Sequence, residues 1–297
     1  MKIFAIVVTY NGKQWYDRCL GSLMASEIPL SVIAVDNHSD DGTVEYLGER
    51  FPSVLLMPQG ENLGFAGANN IGIRYALDHG ADYVFLLNQD AWIEKDTVGS
   101  LVGTFEATGD AGIVSPVHLD GKGTDMDWKS ATNMPGEFVS DAYMGKLKPY
   151  YPVPYMNAAA WLLSAGCIRT VGGFDTNLFS HYGEDGNYCQ RVCYHGLKIY
   201  VDTAARICHD RESRKGSESE YQAKFFSQKD TARKLEYGNI NYNIDIDGMI
   251  RQVSKSRFKA RMRLRFKDEE RLDREMEFLE KVKLSRDRDA RPGLNWL

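Results

Sequence analysis

The chain is short of cysteine, has no long apolar run, and lacks the glycine signatures that cradle a dinucleotide or a triphosphate. Five cysteines in 297 residues, irregularly spaced, argue against a disulfide framework and for reduced thiols in a cytoplasm. Cys189, Cys193, His195, Cys208 and His209 contain no C-x-x-C pair, so a structural zinc site lacks its usual spacing. No window reaches the roughly 20 apolar residues that a membrane span needs. The opening MKIFAIVVTYNG has only about seven apolar residues before the polar ones. It is too short for a signal-peptide core with its cleavage site and reads as a first strand. The first turn, TYNG, is not G-x-G-x-x-G, and no G-x-x-x-x-G-K-[ST] occurs. Nicotinamide and flavin dinucleotides and a phosphate loop are therefore disfavoured. Positive charge is not in excess either: the net charge is -5, which disfavours nucleic acid as a partner.

What is present is an alternating pattern of strands and helices. The length suits one large domain or two small ones. Strands are expected at Ile3–Thr9, Ser31–Val35, Ser53–Met57, Tyr83–Leu87 and Ala111–Ser115. Helices are expected between them over Gln14–Ala25, from a Ser39 or Asp40 cap to Gly48, and over Leu63–His79 and Asp96–Thr108. Such alternation implies an α/β fold with a mostly parallel sheet flanked by helices. The rhythm breaks after Pro116. Residues 120–154 show no period and read as an extended hairpin or a loop. Ala158–Ser164, Leu197–Asp202 and Ala205–His209 read as strands, and Glu184–Tyr194 as a helix closed by Gly196. From Gly216 the chain is polar and helical. The expected organisation is a sheet-bearing domain over 1–215, with halves 1–116 and 117–215, and a helical C-terminal extension over 216–297.

Polar residues cluster at the ends of the first four strands. Thr9-Tyr10-Asn11 follows the first, Asp36-Asn37 the second, Asn62 and Gly64 the third, and Asn88 and Asp90 the fourth. Open α/β sheets bind their ligands beyond the carboxyl ends of their strands. In YVFLLNQDAW, a strand buried on both faces runs into Asp90, which can hold a divalent metal or simply cap the next helix. In FSHYGEDGNYCQR, the adjacent Glu184 and Asp185 open a helix. One carboxylate can serve as a general base and the other can bind hydroxyls, or both can simply complement the helix N-terminus.

VVTYNG (7–12), VDNHSDDGT (35–43), NLGFAGANNIGI (62–73), LLNQDA (86–91), GGFDTNLF (172–179) and GEDGNYCQR (183–191) together resemble the family-2 inverting glycosyltransferases of GT-A fold. The likeness is closest to the bacterial rhamnosyltransferase-like branch that builds cell-surface polysaccharides. It spans roughly residues 1 to 210 in the family's order. It implies a nucleoside pocket lined by Thr9, Tyr10 and Asn11, with Asp36 and Asn37 on the base or ribose. Asn62, Gly64, Ala68, Asn69 and Asn88 would approach the ribose and diphosphate. Asp90, completed by His209, would hold Mn²⁺ or Mg²⁺. The family's Asp-x-Asp is here Asn88-Gln89-Asp90, one carboxylate fewer, which suits a cation shared with substrate phosphates. Asp185 matches the family's general base, and Glu184 would orient the acceptor or the base. The further acid two positions on is Asn187. Trp161, His181, Tyr182 and Arg191 are candidate acceptor-site residues, with a buried Trp161 as the alternative.

The implied reaction is direct displacement of a dTDP- or UDP-linked sugar, rhamnose or a hexose, by a hydroxyl of a glycan or lipid-linked acceptor. Two alternatives stand beside it: a degenerate nucleotide-sugar-binding or assembly protein, and a sugar-phosphate nucleotidyltransferase, which TYNGKQW fits poorly. After position 250 there are 15 basic and 9 acidic residues, against 21 and 32 before it. Residues 251–267 hold eight basic residues and no acid. As a basic amphipathic helix this run can lie on an anionic membrane surface, placing the protein peripherally on the inner face, or it can pack on a partner subunit in a homo-oligomer.

Overall fold

A computed structural model describes residues 1–179, 182–211 and 218–297, the side chains of 218–227 excepted. The first half is a run of β-α units: β1 (Ile3–Thr9), α1 (Lys13–Met24), β2 (Leu30–Asp36), α2 (Thr43–Arg50), β3 (Leu55–Pro58), α3 (Gly64–Asp78) and β4 (Tyr83–Asn88). Next come β5 (Ala91–Ile93), α4 (Thr97–Thr108), β6 (Ala111–Asp120), α5 (Trp128–Asn133), α6 (Gly136–Tyr143), β7 (Tyr150–Val153), β8 (Ala160–Ser164), α7 (Ala165–Val171), α8 (Glu184–Tyr194) and β9 (Lys198–His209). The C-terminal stretch is α9 (Glu218–Gly238), α10 (Ile246–Met262) and α11 (Phe266–Asp289).

The strands form one nine-stranded sheet in the order β3-β2-β1-β4-β8-β6-β9-β5, with β7 also on β9. All pairings among β1 to β4 are parallel, as the alternation predicts. The later strands mix directions. β8 runs antiparallel to β4 and β6, while β6 and β9 are parallel. Side chains of β1 alternate across the sheet. Phe4 and Ile6 join a core with α3, α7 and α8, and Ile3, Ala5 and Val7 join a second core with α1 and α4. Gly72 of α3 lies where an added Cβ would stand 2.7 Å from Ile6, so its lack of a side chain permits close helix–sheet packing, as anticipated.

Several boundaries differ from the sequence reading. The two strands expected at 197–202 and 205–209 are one strand, and the break between them is a register shift against β6 between Pro116 and Val117. The first half of β9 pairs antiparallel with β7 and the second half with β5. The unreadable stretch after Asp120 holds α5, α6 and β7. The expected Ser39 or Asp40 helix cap is corrected as well. α2 begins at Thr43 behind Gly42 at φ 77, and Asp41 accepts from the Thr43 amide and hydroxyl. Nor is 251–267 a single helix: α10 ends at Met262, and the chain reverses before Phe266 so that α10 and α11 pack together.

The C-terminal stretch is tied back to the sheet-bearing part. Leu178 and Phe179 pack with Ile246 and Val282. Beyond α11, the carbonyl of Asn295 accepts from the Gly173 amide at 2.8 Å, and that of Thr170 accepts from the Gly293 amide at 2.9 Å. Among the described residues no helix is long and apolar enough to cross a membrane.

Candidate active site

The carboxyl ends of β1 and β2 are built around Asp36. Its Oδ1 accepts from the hydroxyls of Thr9 at 3.0 Å and Ser39 at 2.6 Å, and its Oδ2 accepts from the Ser39 amide at 3.0 Å. Asn37 donates to Asn62 Oδ1 at 2.8 Å and accepts from the Leu63 amide at 2.7 Å, joining the end of β2 to the start of α3. Thr9, Asp36 and Asn37 are buried, whereas Tyr10 and Asn62 are exposed and Asn11 and Asn88 half-buried. Asn11, at φ 46, sits in a left-handed conformation that Asn tolerates better than most residues. It exchanges hydrogen bonds with Asp40.

Gln89 carries no signal in the sequence reading, yet it ties the fourth strand end to the first. Its Oε1 accepts from the Tyr10 amide at 2.8 Å and its Nε2 donates to the Tyr10 carbonyl at 3.0 Å. The middle residue of Asn88-Gln89-Asp90 thus holds the loop on which Tyr10 and Asn11 are presented.

Asp90 and His209 come together through the sheet register. Ala91 pairs with His209 in the antiparallel β5–β9 contact, so the preceding Asp90 reaches the same imidazole. Its Oδ1 lies 3.4 Å from His209 Nε2. The chain leaving β6 then turns back in a bridge between Leu119 and Met126, with the Asp127 amide donating to the His118 carbonyl at 2.9 Å. That reversal places Asp127 Oδ2 at 3.8 Å from His209 Nδ1 and in an ion pair with Arg211. Asp127 also caps α5, accepting from the amides of Lys129 and Ser130. Burial pushes its carboxyl up, but Arg211 and the Ser130 amide outweigh this and hold it below the usual carboxylate value. His118, edge-on to His209 at 6.3 Å, is driven by burial, with help from His209, to a pKa of about 3. It therefore stays neutral. Asp90, Asp127, His118 and His209 are all buried.

α8 begins at Glu184, as expected, behind Gly183 at φ 93. Asp185 is half-buried, and its Oδ2 accepts from Tyr155 Oη at 2.9 Å. Burial, then the negative Asp185, push the Tyr155 phenol well up, while Arg211 pulls it down. The side chains thus form two groups: Asp90, His209, Asp127 and Arg211 in one, and Asp185 with Tyr155 in the other. Glu184 is 9% exposed, and its Oε2 has no hydrogen-bond partner among the described residues. Burial, reinforced by Asp185, raises its pKa to about 7.

Other candidates are placed elsewhere. Trp161 is fully buried in an aromatic cluster with Phe174 and Tyr188, so stacking on a sugar gives way to the core alternative. Arg191 is also fully buried. It donates to the carbonyls of Val171 and Gly173 and pairs with Asp289 at 3.3 Å, so it anchors the C-terminal stretch and does not face an acceptor. Ala68 is in the core, and Asn69 is buried with its amide on the Phe65 carbonyl at 2.9 Å, so neither side chain faces an open site. Asn187 is buried beside Arg191. Tyr182 is exposed. His181 lies outside the described residues.

Among the described residues, no group of three or more His, Cys, Asp and Glu side chains is gathered as a metal site. The donor set of Asp90 and His209 is one carboxylate and one imidazole, which fits a cation only if further oxygen ligands come from substrate or water.

The sequence profile described as Glycosyl transferase family 2 matches residues 4–171, more than half of the chain. Over 237 residues the chain is 29% identical to the N-acetylglucosaminyl-diphospho-decaprenol L-rhamnosyltransferase of Mycobacterium tuberculosis (strain ATCC 25618 / H37Rv), covering 70% of this chain and 76% of the relative. Over 209 residues it is 24% identical to the dTDP-rhamnosyl transferase RfbF of Shigella flexneri, covering 70% and 68%. Among solved structures, GalNAc-T7 with UDP, GalNAc and Mn²⁺ is similar at a TM-score of 0.56 and 15% identity, over 71% of this chain and 44% of that one. S. aureus TarS 1-349 in complex with UDP-GlcNAc is similar at 0.53 and 15%, over 73% and 60%. At that identity the structural likenesses speak to the GT-A fold alone.

Proposed function

The chain belongs to glycosyltransferase family 2, and from that premise we propose that it transfers rhamnose from a dTDP-linked donor, with inversion, to a hydroxyl of a lipid-linked glycan. The observation that carries this reading is a pair of side-chain groups: Asp90 with His209, Asp127 and Arg211, and Asp185 held by Tyr155. The first would hold the donor and the second would activate the acceptor. Rhamnose is chosen over a hexose because both relatives described above are rhamnosyltransferases. The lipid-linked acceptor is taken from the name of the mycobacterial one.

In this mechanism Tyr10, Asn11 and Asn62, the more accessible polar groups at the strand ends, contact the nucleotide. Gln89 and Asp36 hold their loops in shape. Asp185 takes the proton of the acceptor hydroxyl while Tyr155 fixes its carboxylate. The acceptor oxygen bonds to the anomeric carbon from the face opposite the nucleotide, the bond from that carbon to the diphosphate oxygen breaks, and the nucleoside diphosphate leaves with the electron pair. Asp90 and His209 would hold Mn²⁺ or Mg²⁺, which when bound neutralises charge on the departing diphosphate. The displacement needs no covalent intermediate and hence no serine or cysteine nucleophile.

Asp185→Asn tests the assignment. It is expected to lower turnover by at least about 10²-fold while calorimetry still shows donor binding. Near-normal turnover would remove Asp185 as the base. A donor panel of dTDP-rhamnose, UDP-glucose and UDP-N-acetylglucosamine decides the sugar, and transfer from a UDP donor alone would overturn the rhamnosyl reading.

A further inference from the structure

α10 and α11 form a helical hairpin, held along its length by the ion pairs Arg257–Asp273 and Lys283–Asp247 and by the buried Ala260. Its apex exposes large apolar side chains. Phe258 is 67% exposed, Met262 70%, Leu264 73% and Phe266 70%. Four large apolar side chains thus stand in water within nine residues of sequence. Leu264 is moreover held at φ 56, a left-handed conformation disfavoured for leucine, so the turn that presents it is a strained one. Exposed apolar side chains gathered so closely in sequence and flanked by cations point to a contact with something outside the chain.

The surrounding charge identifies the contact. Residues 251–267 carry eight Lys and Arg and no acid, in a chain whose net charge is -5. Arg251, Arg257 and Arg265 form ion pairs with acids of the hairpin. Lys255, Lys259, Arg261, Arg263 and Lys267 form none among the described residues. Apolar and cationic residues therefore alternate around a projecting turn, with Arg263 and Arg265 on either side of Leu264. A second copy of the chain is a poor match, because two such apices would set like charges against each other.

We infer that this apex inserts into the interfacial region of an anionic lipid bilayer. Phe258, Met262, Leu264 and Phe266 enter the boundary between headgroups and acyl chains, and the unpaired cations lie among the phosphates. The contact is made by the tip of a hairpin, since one side of α10 is covered by α11. The inference deepens the proposed activity, because it brings the protein to the bilayer in which a lipid-linked acceptor resides. Its physics does not depend on the identity of the sugar.

Flotation of the full chain with vesicles tests it, with no sugar donor present. Wild type is expected to float with vesicles of phosphatidylglycerol in phosphatidylcholine and to remain in solution with phosphatidylcholine alone. High salt should release it, since surface charges are screened over about 3 Å at 1 M. The triple variant Phe258→Ser, Leu264→Ser, Phe266→Ser should bind anionic vesicles at least roughly tenfold more weakly. So should the triple variant Lys259→Glu, Arg261→Glu, Arg263→Glu, which sets acids against the lipid phosphates. Both variants should unfold at the wild-type temperature, because the changed side chains are exposed. Asp185→Asn should float like wild type even if it abolishes transfer, which separates the failure of this inference from that of the proposed reaction. No flotation of wild type, equal flotation with neutral vesicles, or unchanged flotation of either triple variant would each overturn the proposal. So would apex-dependent dimers seen by light scattering.

Discussion

Replacing Glu184 by glutamine is expected to change the pH dependence of stability in one direction only. The Glu184 carboxyl is buried beside Asp185 and keeps its proton up to a pH of about 7, against 4.5 when unfolded. Below the unfolded value both states are protonated and the group contributes nothing. As pH rises through the interval, the unfolded chain releases the proton and the folded chain does not, so stability falls with pH. Above the folded value the whole difference applies. A rise from 4.5 to about 7 corresponds to roughly 3 kcal/mol, at 1.36 kcal/mol per tenfold change in proton affinity. Glutamine has the same shape, carries no charge and does not titrate. Glu184→Gln should therefore match wild type near about pH 4 and exceed it by up to roughly 3 kcal/mol near about pH 8. Urea unfolding followed by circular dichroism at the two pH values reads this as a midpoint shift at constant slope. A gap that is the same at both pH values, or a variant less stable at the higher one, would refute the reasoning that burial holds this carboxyl neutral.

Three further outcomes are expected. Asp127→Asn keeps a good helix cap but removes the negative charge beside His209 Nδ1, so Mn²⁺-dependent binding of a nucleoside diphosphate should weaken about 10- to 100-fold by calorimetry; unchanged affinity would show that Asp127 serves only α5. Tyr155→Phe removes a hydrogen bond to the Asp185 carboxylate, an interaction of about 1.5 kcal/mol or more. Turnover should fall about tenfold with donor affinity unchanged, and a fall in affinity alone would sink the positioning role. Asp289→Ala leaves the Arg191 guanidinium buried without its carboxylate, which should destabilise the protein by about 3–5 kcal/mol in urea unfolding; an unmoved midpoint would mean that the C-terminal stretch is not anchored there.

Much of the fold was legible because it is written in local patterns. β1 and α8 begin and end where the apolar period and the flanking glycines place them, and the strand-end polar residues lie at the carboxyl edge of a parallel sheet. The aromatic and small residues of NAAAWLL could not be assigned that way. Trp161 is equally suited to a core or to a sugar face, and only the packing of Phe174 and Tyr188 against it decides. Arg191 likewise reads as a site residue until Asp289, far along the chain, is seen beside it.

By itself, the sequence determined the α/β elements, the family and which carboxylates were worth asking about, since hydrophobic period, turn residues and motif order act over a few residues at a time. The tertiary structure decided which side chains meet. Asp90 reaches His209 because β5 runs antiparallel to β9. Asp127 reaches both His209 and Arg211 because the chain leaving β6 folds back on itself, and Tyr155 reaches Asp185 from just beyond the stretch that had no readable period. Each of these meetings depends on a pairing between distant segments, and pairing register is set by how whole faces of the sheet are buried, a property that no short window of sequence contains.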